Sequence, residues 1–334
     1  MRALAFGEAV AWFEHMPVPL RPATLHPAYV LADAARNPLL QPLFLGYEAN
    51  GDRWLHSLHR TDVPGLPLKD ASSPYGYGGP LCSSDEPGFV AAAWRAYVDW
   101  MRSDGVVVES IRFHPLLGNE RHYGGQVVDN RPVVCVDLDS DIVAGYALRQ
   151  RQALKKASAA GLVYEEAALA SVVREFAAFY RAGMREIGAA PFYLFDDRYF
   201  EALAAGGFAR VGACRLPGGP WLAAALFLDG PGVREYHLAA TSGQGRQASA
   251  STFVLHHGGL AAQERGLRRL YLGGGSDPRP DNPLLFFKAS FSPWRLSYRT
   301  GSTVFDAGGY GELQRRFAHE HDAHPGRPIF HRIV

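Results

Sequence analysis

Lys288 stands in an otherwise apolar segment, with Leu284-Leu285-Phe286-Phe287 before it and Phe291 after it, downstream of a glycine-rich strand end at Gly273-Gly274-Gly275. An ammonium in such company either snorkels to water or is held in a partly dry site where it stabilises developing negative charge. Two histidines add acid–base chemistry: His114 lies beside Arg112 at a strand end, and His237 follows Tyr236. An imidazole titrating near neutrality takes the proton of an attacking amine, or serves as a hydrogen-bonded structural residue. The phenols of Tyr236 and Tyr193 can orient an acceptor. Arg246 opens a small-residue turn, Arg246-Gln247-Ala248-Ser249-Ala250-Ser251, suited to a phosphate or to a plain helix start capped by Ser251. Its serines replace both glycines of the Arg/Gln-x-x-Gly-x-Gly/Ala turn that holds an acyl-CoA pyrophosphate. Arg149, Arg151, Lys155 and Lys156 cluster within two helical turns. They suit tRNA phosphates, which require charge rather than sequence-specific geometry, and equally suit a solvated helix face.

Other chemistries find less support. GxSxG is absent, so no nucleophile elbow is expected and direct attack by a bound amine is the simpler route. Cys82, Cys135 and Cys214 are scattered without metal-ligand spacing and read as structural thiols. His256-His257 lack a carboxylate or cysteine ligand nearby, and His319, His321 and His324 have helix spacing only in part, so no metal is expected.

The elements that must position these residues follow from turn signals and periodicity. Residues 43–49 and 53–60 form a hairpin about Asn50-Gly51, which supplies two positive φ angles. The loop at 72–80 is glycine-rich, a helix spans about 86–103, and strands lie at 106–113 and 133–138. Ser140 caps a helix running to about Ala160. Next come a strand at 162–165, helices at about 168–187 and 196–205, and three meander strands near 208–216, 220–228 and 233–240. A helix at about 252–265 then precedes the strand Arg269–Leu272, and Pro278, Pro280 and Pro283 break the chain before the helix that carries Lys288.

The chain of 334 residues is long for one core, and two domains are expected, 1–155 and 156–334. Hydrophobic residues make up 47% and charged residues 20%, the composition of a folded protein rather than a disordered one. A formal net charge of +1 gives no global footprint for nucleic acid, and DNA binding is not expected. No stretch approaches the ~18 uninterrupted apolar residues of a membrane span, and no secretory h-region opens the chain, so a cytoplasmic protein without an integral membrane segment is expected.

From 162 onward the order of strand, two helices, three antiparallel strands, helix, strand, helix, strand resembles a Gcn5-related acyltransferase (GNAT) fold, and the first half repeats it loosely. The segments SPYGYGGPL at 73–81, IRFHPLLGN at 111–119, RQRQALKKASAAG from Arg149, APFYLFDDRYFEAL from Ala190, and the YLGGG to FKASFSP region resemble the Fem-type family. Members of that family carry twin acyltransferase folds and transfer amino acids from aminoacyl-tRNA to peptidoglycan precursors. The resemblance implies an α+β protein with two tandem GNAT-like domains, each a mixed, mostly antiparallel sheet flanked by helices. It aligns Phe287-Lys288 with the phenylalanine–lysine pair at the family's acyl-transfer centre, where Lys288 would meet the tetrahedral oxyanion or the departing ribose oxygen. With His237 these residues form the expected catalytic set. Tyr236, Tyr193, Tyr75, Tyr77, Arg112 and His114 are the expected substrate contacts, and Arg246, Ser249, Arg149, Lys155 and Lys156 the expected donor-phosphate contacts. Two departures bear on the acceptor: no arginine stands at 189–193, where peptidoglycan-directed members bind a diphosphate, and the coiled-coil insertion of some members has no counterpart between 140 and 170. The expected activity is amide formation from an aminoacyl-tRNA donor, engaged through its acceptor end, onto a small-molecule or precursor amine, with no cofactor. The alternatives are a coenzyme A or carrier-protein thioester donor, and a non-catalytic ligand-binding protein on the same fold.

Overall fold

The elements form where local signals place them, and the sheets then gather the chemistry. The computed structural model describes residues 1–277, 279 and 281–332; the chain breaks expected at Pro278 and Pro280 lie outside the described residues. The chain forms two compact units. One comprises Met1–Val18, Thr24–Asn130 and Tyr298–Val334, and the other Pro19–Ala23 and Arg131–Ser297. A single cut at 155 therefore does not describe the chain, because its last strand pairs back into the N-terminal unit.

In the N-terminal unit, β1 (Arg2–Ala3), α1 (Phe6–His15) and α2 (Pro27–Ala34) precede the hairpin β2 (Gln41–Ala49) and β3 (Asp52–Asp62). Asn50 and Gly51 turn the hairpin at φ 53° and 87°, as the sequence requires. β4 (Lys69–Ser72), β5 (Leu81–Cys82), α3 (Pro87–Ser103) and β6 (Val106–Arg112) follow. Helix α3 begins where Glu86 accepts hydrogen bonds from Gly88 and Phe89 N–H, and it buries Phe89, Ala93, Tyr97 and Met101 at helical spacing.

In the second unit, β7 (Gln126–Asp137, from Arg131 on), α4 (Leu148–Ala159), β8 (Val163–Ala168), α5 (Leu169–Glu186) and α6 (Asp197–Ala205) lead into the meander β9 (Ala209–Arg215), β10 (Trp221–Gly230) and β11 (Val233–Thr241). Then come α7 (Gly243–Gln247), α8 (Ala250–Glu264), β12 (Arg269–Gly273) and α9 (Pro283–Ala289). β13 (Arg295–Val304), α10 (Ala307–Arg316) and α11 (Ala318–Ala323) complete the chain.

Two sequence expectations change here. Ser140 does not open a helix: Asp141 Oδ1 accepts from Val143 N–H at 2.9 Å in a local turn, Ile142 and Tyr146 drive into the core, and α4 starts only at Leu148. The helix expected at 252–265 is α8, but the turn expected before it contains a further short helix, α7, joined to α8 at Ser249 with φ 58°, and Ser251 pairs with Thr241 Oγ1 at 2.6 Å instead of capping.

Strand order is β1-β2-β3-β4-β6-β13 in the N-terminal unit and β7-β12-β11-β10-β9-β8 in the second. Each sheet is mostly antiparallel with one parallel pair, β4–β6 in the first and β11–β12 in the second. The second core packs Phe227, Phe253, Val254, Leu270 and Phe291, and its buried Arg234 is neutralised by Glu166 and Asp229 at 2.9 and 2.6 Å. Among the described residues no helix is long and apolar enough to cross a membrane.

Candidate active site

The parallel pair of the second unit opens along its length. β11 and β12 are in register from Val233↔Arg269 to Glu235↔Tyr271, and no later pair between them occurs among the described residues. Beyond that point β11 continues to Thr241, while β12 stays with β7 as far as Gly273↔Val134. The splay leaves backbone and side chains of Tyr236 onward facing the glycine run across an unpaired gap.

Lys288 occupies this gap. Its Nζ donates to Gly274 O at 2.8 Å and lies 5.6 Å from the Tyr236 ring centroid. The glycines make the approach possible: Gly273 takes φ 74°, and a Cβ on Gly275 would come within 2.5 Å of Asn282 Oδ1. Asn282, itself buried, caps α9 by accepting from Leu284 and Leu285 N–H at 3.0 and 3.1 Å. Helix α9 is inverted in polarity, since it exposes Leu284 and Phe286 and turns its one charged residue inward, to 8% exposure. Burial pushes the Lys288 ammonium down to about 7, with no carboxylate among the causes to hold it up. A lysine in this state is a cation or a proton donor at neutral pH, and a free amine just above it. Phe287 packs edge-on to Phe291 at 5.3 Å and fixes the helix against the core.

The other expected residues divide into three places. Tyr236 joins Lys288, with its phenol pKa raised by burial. His237 does not join it: its Nε2 lies 2.8 Å from the Tyr199 hydroxyl. It is also the residue passed over by the bulge between Leu226↔Leu238 and Phe227↔Tyr236. Tyr193 lies in the turn Pro191–Tyr193 with its ring against Phe192, away from these contacts.

The expected phosphate contacts are only partly available. Arg246 is held by Glu186 and by Thr241 O at 2.9 Å. Ser249 is the left-handed junction before α8 and makes no side-chain capping bond. Arg149 lies over the Phe286 ring, 3.2 Å from its centroid, and donates to Phe286 O, whereas Lys155 and Lys156 are exposed.

Tyr75, Tyr77, Arg112 and His114 gather in the N-terminal unit. Tyr77 is edge-on to His114 at 5.1 Å and to Tyr298 at 5.6 Å, and Arg112 Nη2 donates to Pro74 O at 2.9 Å. Here the parallel pair does not open. Ser73 N–H donates to Ser110 O at 3.1 Å, Gly78 N–H to Arg112 O at 2.7 Å, and Gly78 bridges to Phe113. Asn119, which sequence reading passed over, pins this loop through Gly78 O and Pro80 O at 3.0 and 3.1 Å. A separate cavity of about 390 Å³ lies in the same unit, between Trp94, Tyr123, Asp85 and His122. None of the expected site residues lines it.

Comparison with known proteins agrees with this geometry. Residues 144–279 match the family model described as the acetyltransferase (GNAT) domain. No curated protein matches the chain. Among solved structures, FemX is similar over 95% of this chain and 100% of its own, with a TM-score of 0.72 at 13% identity. A tandem GNAT protein from the clavulanic acid biosynthesis pathway is similar over 91% of this chain and 98% of its own, with a TM-score of 0.54 at 13% identity. L-PGS from Bacillus licheniformis is similar over 82% and 91%, with a TM-score of 0.53 at 12% identity. Residues 144–279 are therefore a GNAT acyltransferase domain, and the fold of the chain is the duplicated GNAT arrangement also seen in FemX.

Proposed function

We propose that the protein transfers an aminoacyl group from aminoacyl-tRNA to an amine of a small molecule or precursor, forming an amide at the opening between β11 and β12. The observation that carries this reading is Lys288, dry, unpaired with any carboxylate among the described residues, and reaching across the gap from Gly274 O to the Tyr236 ring. The acceptor amine attacks the ester carbonyl, and the ammonium of Lys288 meets the oxyanion as charge develops. Collapse breaks the bond to the ribose oxygen, which takes a proton either from the attacking nitrogen or from the same ammonium, with the nitrogen's proton then restoring the Lys288 ammonium. Holding both reactants in one closed site supplies the rest of the acceleration.

The charge distribution favours a polyanionic donor over a pyrophosphate at the α7–α8 turn. Arg246 is already committed to Glu186, while α4 carries Arg149, Arg151, Lys155 and Lys156 and no acidic residue. Transfer to a panel of amines, assayed in parallel with labelled charged tRNA and with acyl-CoA, tests the donor. Turnover with charged tRNA that weakens steeply between 50 and 200 mM salt, as phosphate contacts of about this number require, and that falls on combined Arg149→Gln, Lys155→Gln and Lys156→Gln substitution, is the expected result. Salt-insensitive turnover with the thioester alone would make the donor an acyl-CoA.

A further inference from the structure

Three features that are separate in sequence meet on one buried chain of hydrogen bonds in the second unit. The Ser290 hydroxyl, at the C-terminal end of α9, lies 2.8 Å from Gln150 Oε1 and 2.5 Å from Phe287 O. Gln150 Nε2 donates to Thr252 Oγ1 at 2.9 Å. Ser290, Gln150 and Thr252 are 2%, 3% and 4% exposed, so each is shielded from water and depends on the others for its partners. Ala147 N–H also donates to Ser290 O at 2.9 Å, which ties the start of α4 to the same point. The three helices so joined are the one carrying Lys288, the one carrying the four cations, and the one that follows the Ser249 junction.

A glutamine in this place is chemically specific. Its amide accepts at the carbonyl and donates at the nitrogen, and methionine or leucine would fill the volume without either bond. Ser290 is two residues after Lys288, at the C-cap of a seven-residue helix, so its anchoring bears on how far the ammonium reaches into the gap.

We infer that Gln150 is a positioning residue for Lys288, holding α9 at the depth where the ammonium spans from Gly274 O to Tyr236 and coupling that depth to the start of α8 through Thr252. This inference rests on the proposed role of Lys288, although its structural half can be read without any turnover. The chain holds four lysines, Lys69, Lys155, Lys156 and Lys288. NMR of protein labelled at the lysine ε-carbon therefore follows each ammonium directly, with Lys288 assigned by Lys288→Arg. In the wild type the Lys288 signal is expected to titrate near 7. Gln150→Met is expected to move the Lys288 midpoint upward as the ammonium gains water, and to lower kcat about tenfold or more with the donor KM within about twofold, since displacement of a catalytic group by ~1 Å is that costly. Thr252→Val should reproduce the effect in weaker form and Thr252→Ser should not; these variants carry the test if Gln150→Met does not fold. An unchanged Lys288 titration and kcat in folded Gln150→Met and Thr252→Val overturns the inference. Full transfer by Lys288→Ala, with the titration shifted in Gln150→Met, would instead overturn the reading of Lys288 and leave the positioning role intact.

Discussion

Lys288 is the residue on which the proposed chemistry turns, and its burial should be measurable as a cost to stability. Depressing its protonation from the ordinary 10.5 to about 7 disfavours the folded state by a few kcal/mol at neutral pH, since each tenfold displacement is about 1.4 kcal/mol. The unfolded chain binds the extra proton between these values, so the penalty is complete at pH 7 and below, shrinks as pH rises, and is gone above 10.5. Lys288→Met, which keeps the stem and removes the charge, is therefore expected to raise the melting temperature at pH 6–7 and to lose that advantage towards pH 10, while transfer collapses. Melting curves across this range check the sign, and a variant less stable at pH 6 would show that the bond to Gly274 O outweighs desolvation. The lysine was legible in sequence as a lone cation in an apolar run. His237 was legible as chemistry but not as geometry, because it sits at a bulge that interrupts the strand's alternation and its ring meets the Tyr199 hydroxyl. Gln150 was not legible: it stands among Arg149, Arg151, Lys155 and Lys156, and only its helical phase with Leu154 and Ala157 marks it as inward-facing.

Among the elements, those set by local chemistry were readable and those set by tertiary packing were not. The hairpin at Asn50-Gly51, the meander strands and the Asp196-capped α6 follow from turn and cap residues. The late start of α4 depends on Ile142 and Tyr146 entering the core and on Gly145 packing against Pro293, contacts that no local signal encodes. The break between α7 and α8 likewise hangs on one residue, Ser249, in a conformation that L-residues avoid. Because its side chain makes no capping bond, Ser249→Gly should stabilise the protein by about 1 kcal/mol, seen as a higher denaturation midpoint at unchanged slope. A lower midpoint would mean that the serine hydroxyl holds the junction through a contact beyond capping.

At the scale of the whole molecule, duplication has produced two parallel strand pairs with different fates. In the N-terminal unit the pair β4–β6 stays closed through Ser73, Gly78 and Asn119, and the aromatic loop lies over it. In the second unit β11 and β12 part after Glu235↔Tyr271, and the gap holds a lysine. The return of β13, α10 and α11 to the N-terminal unit could not be read from element order alone, since it depends on β13 pairing with β6. One centre per chain, at Lys288, is the account's central claim. Its most direct test is the rate of aminoacyl transfer between pH 6 and 9 for the wild type, Lys288→Ala and Lys288→Arg. Loss of the ammonium should lower kcat by roughly 10²-fold or more, as removing an oxyanion donor does. The wild-type rate should decline as pH rises through about 7, and arginine, charged throughout, should abolish that decline while keeping part of the activity. Transfer by Lys288→Ala within a few-fold of wild type, with the same pH profile, would contradict the account.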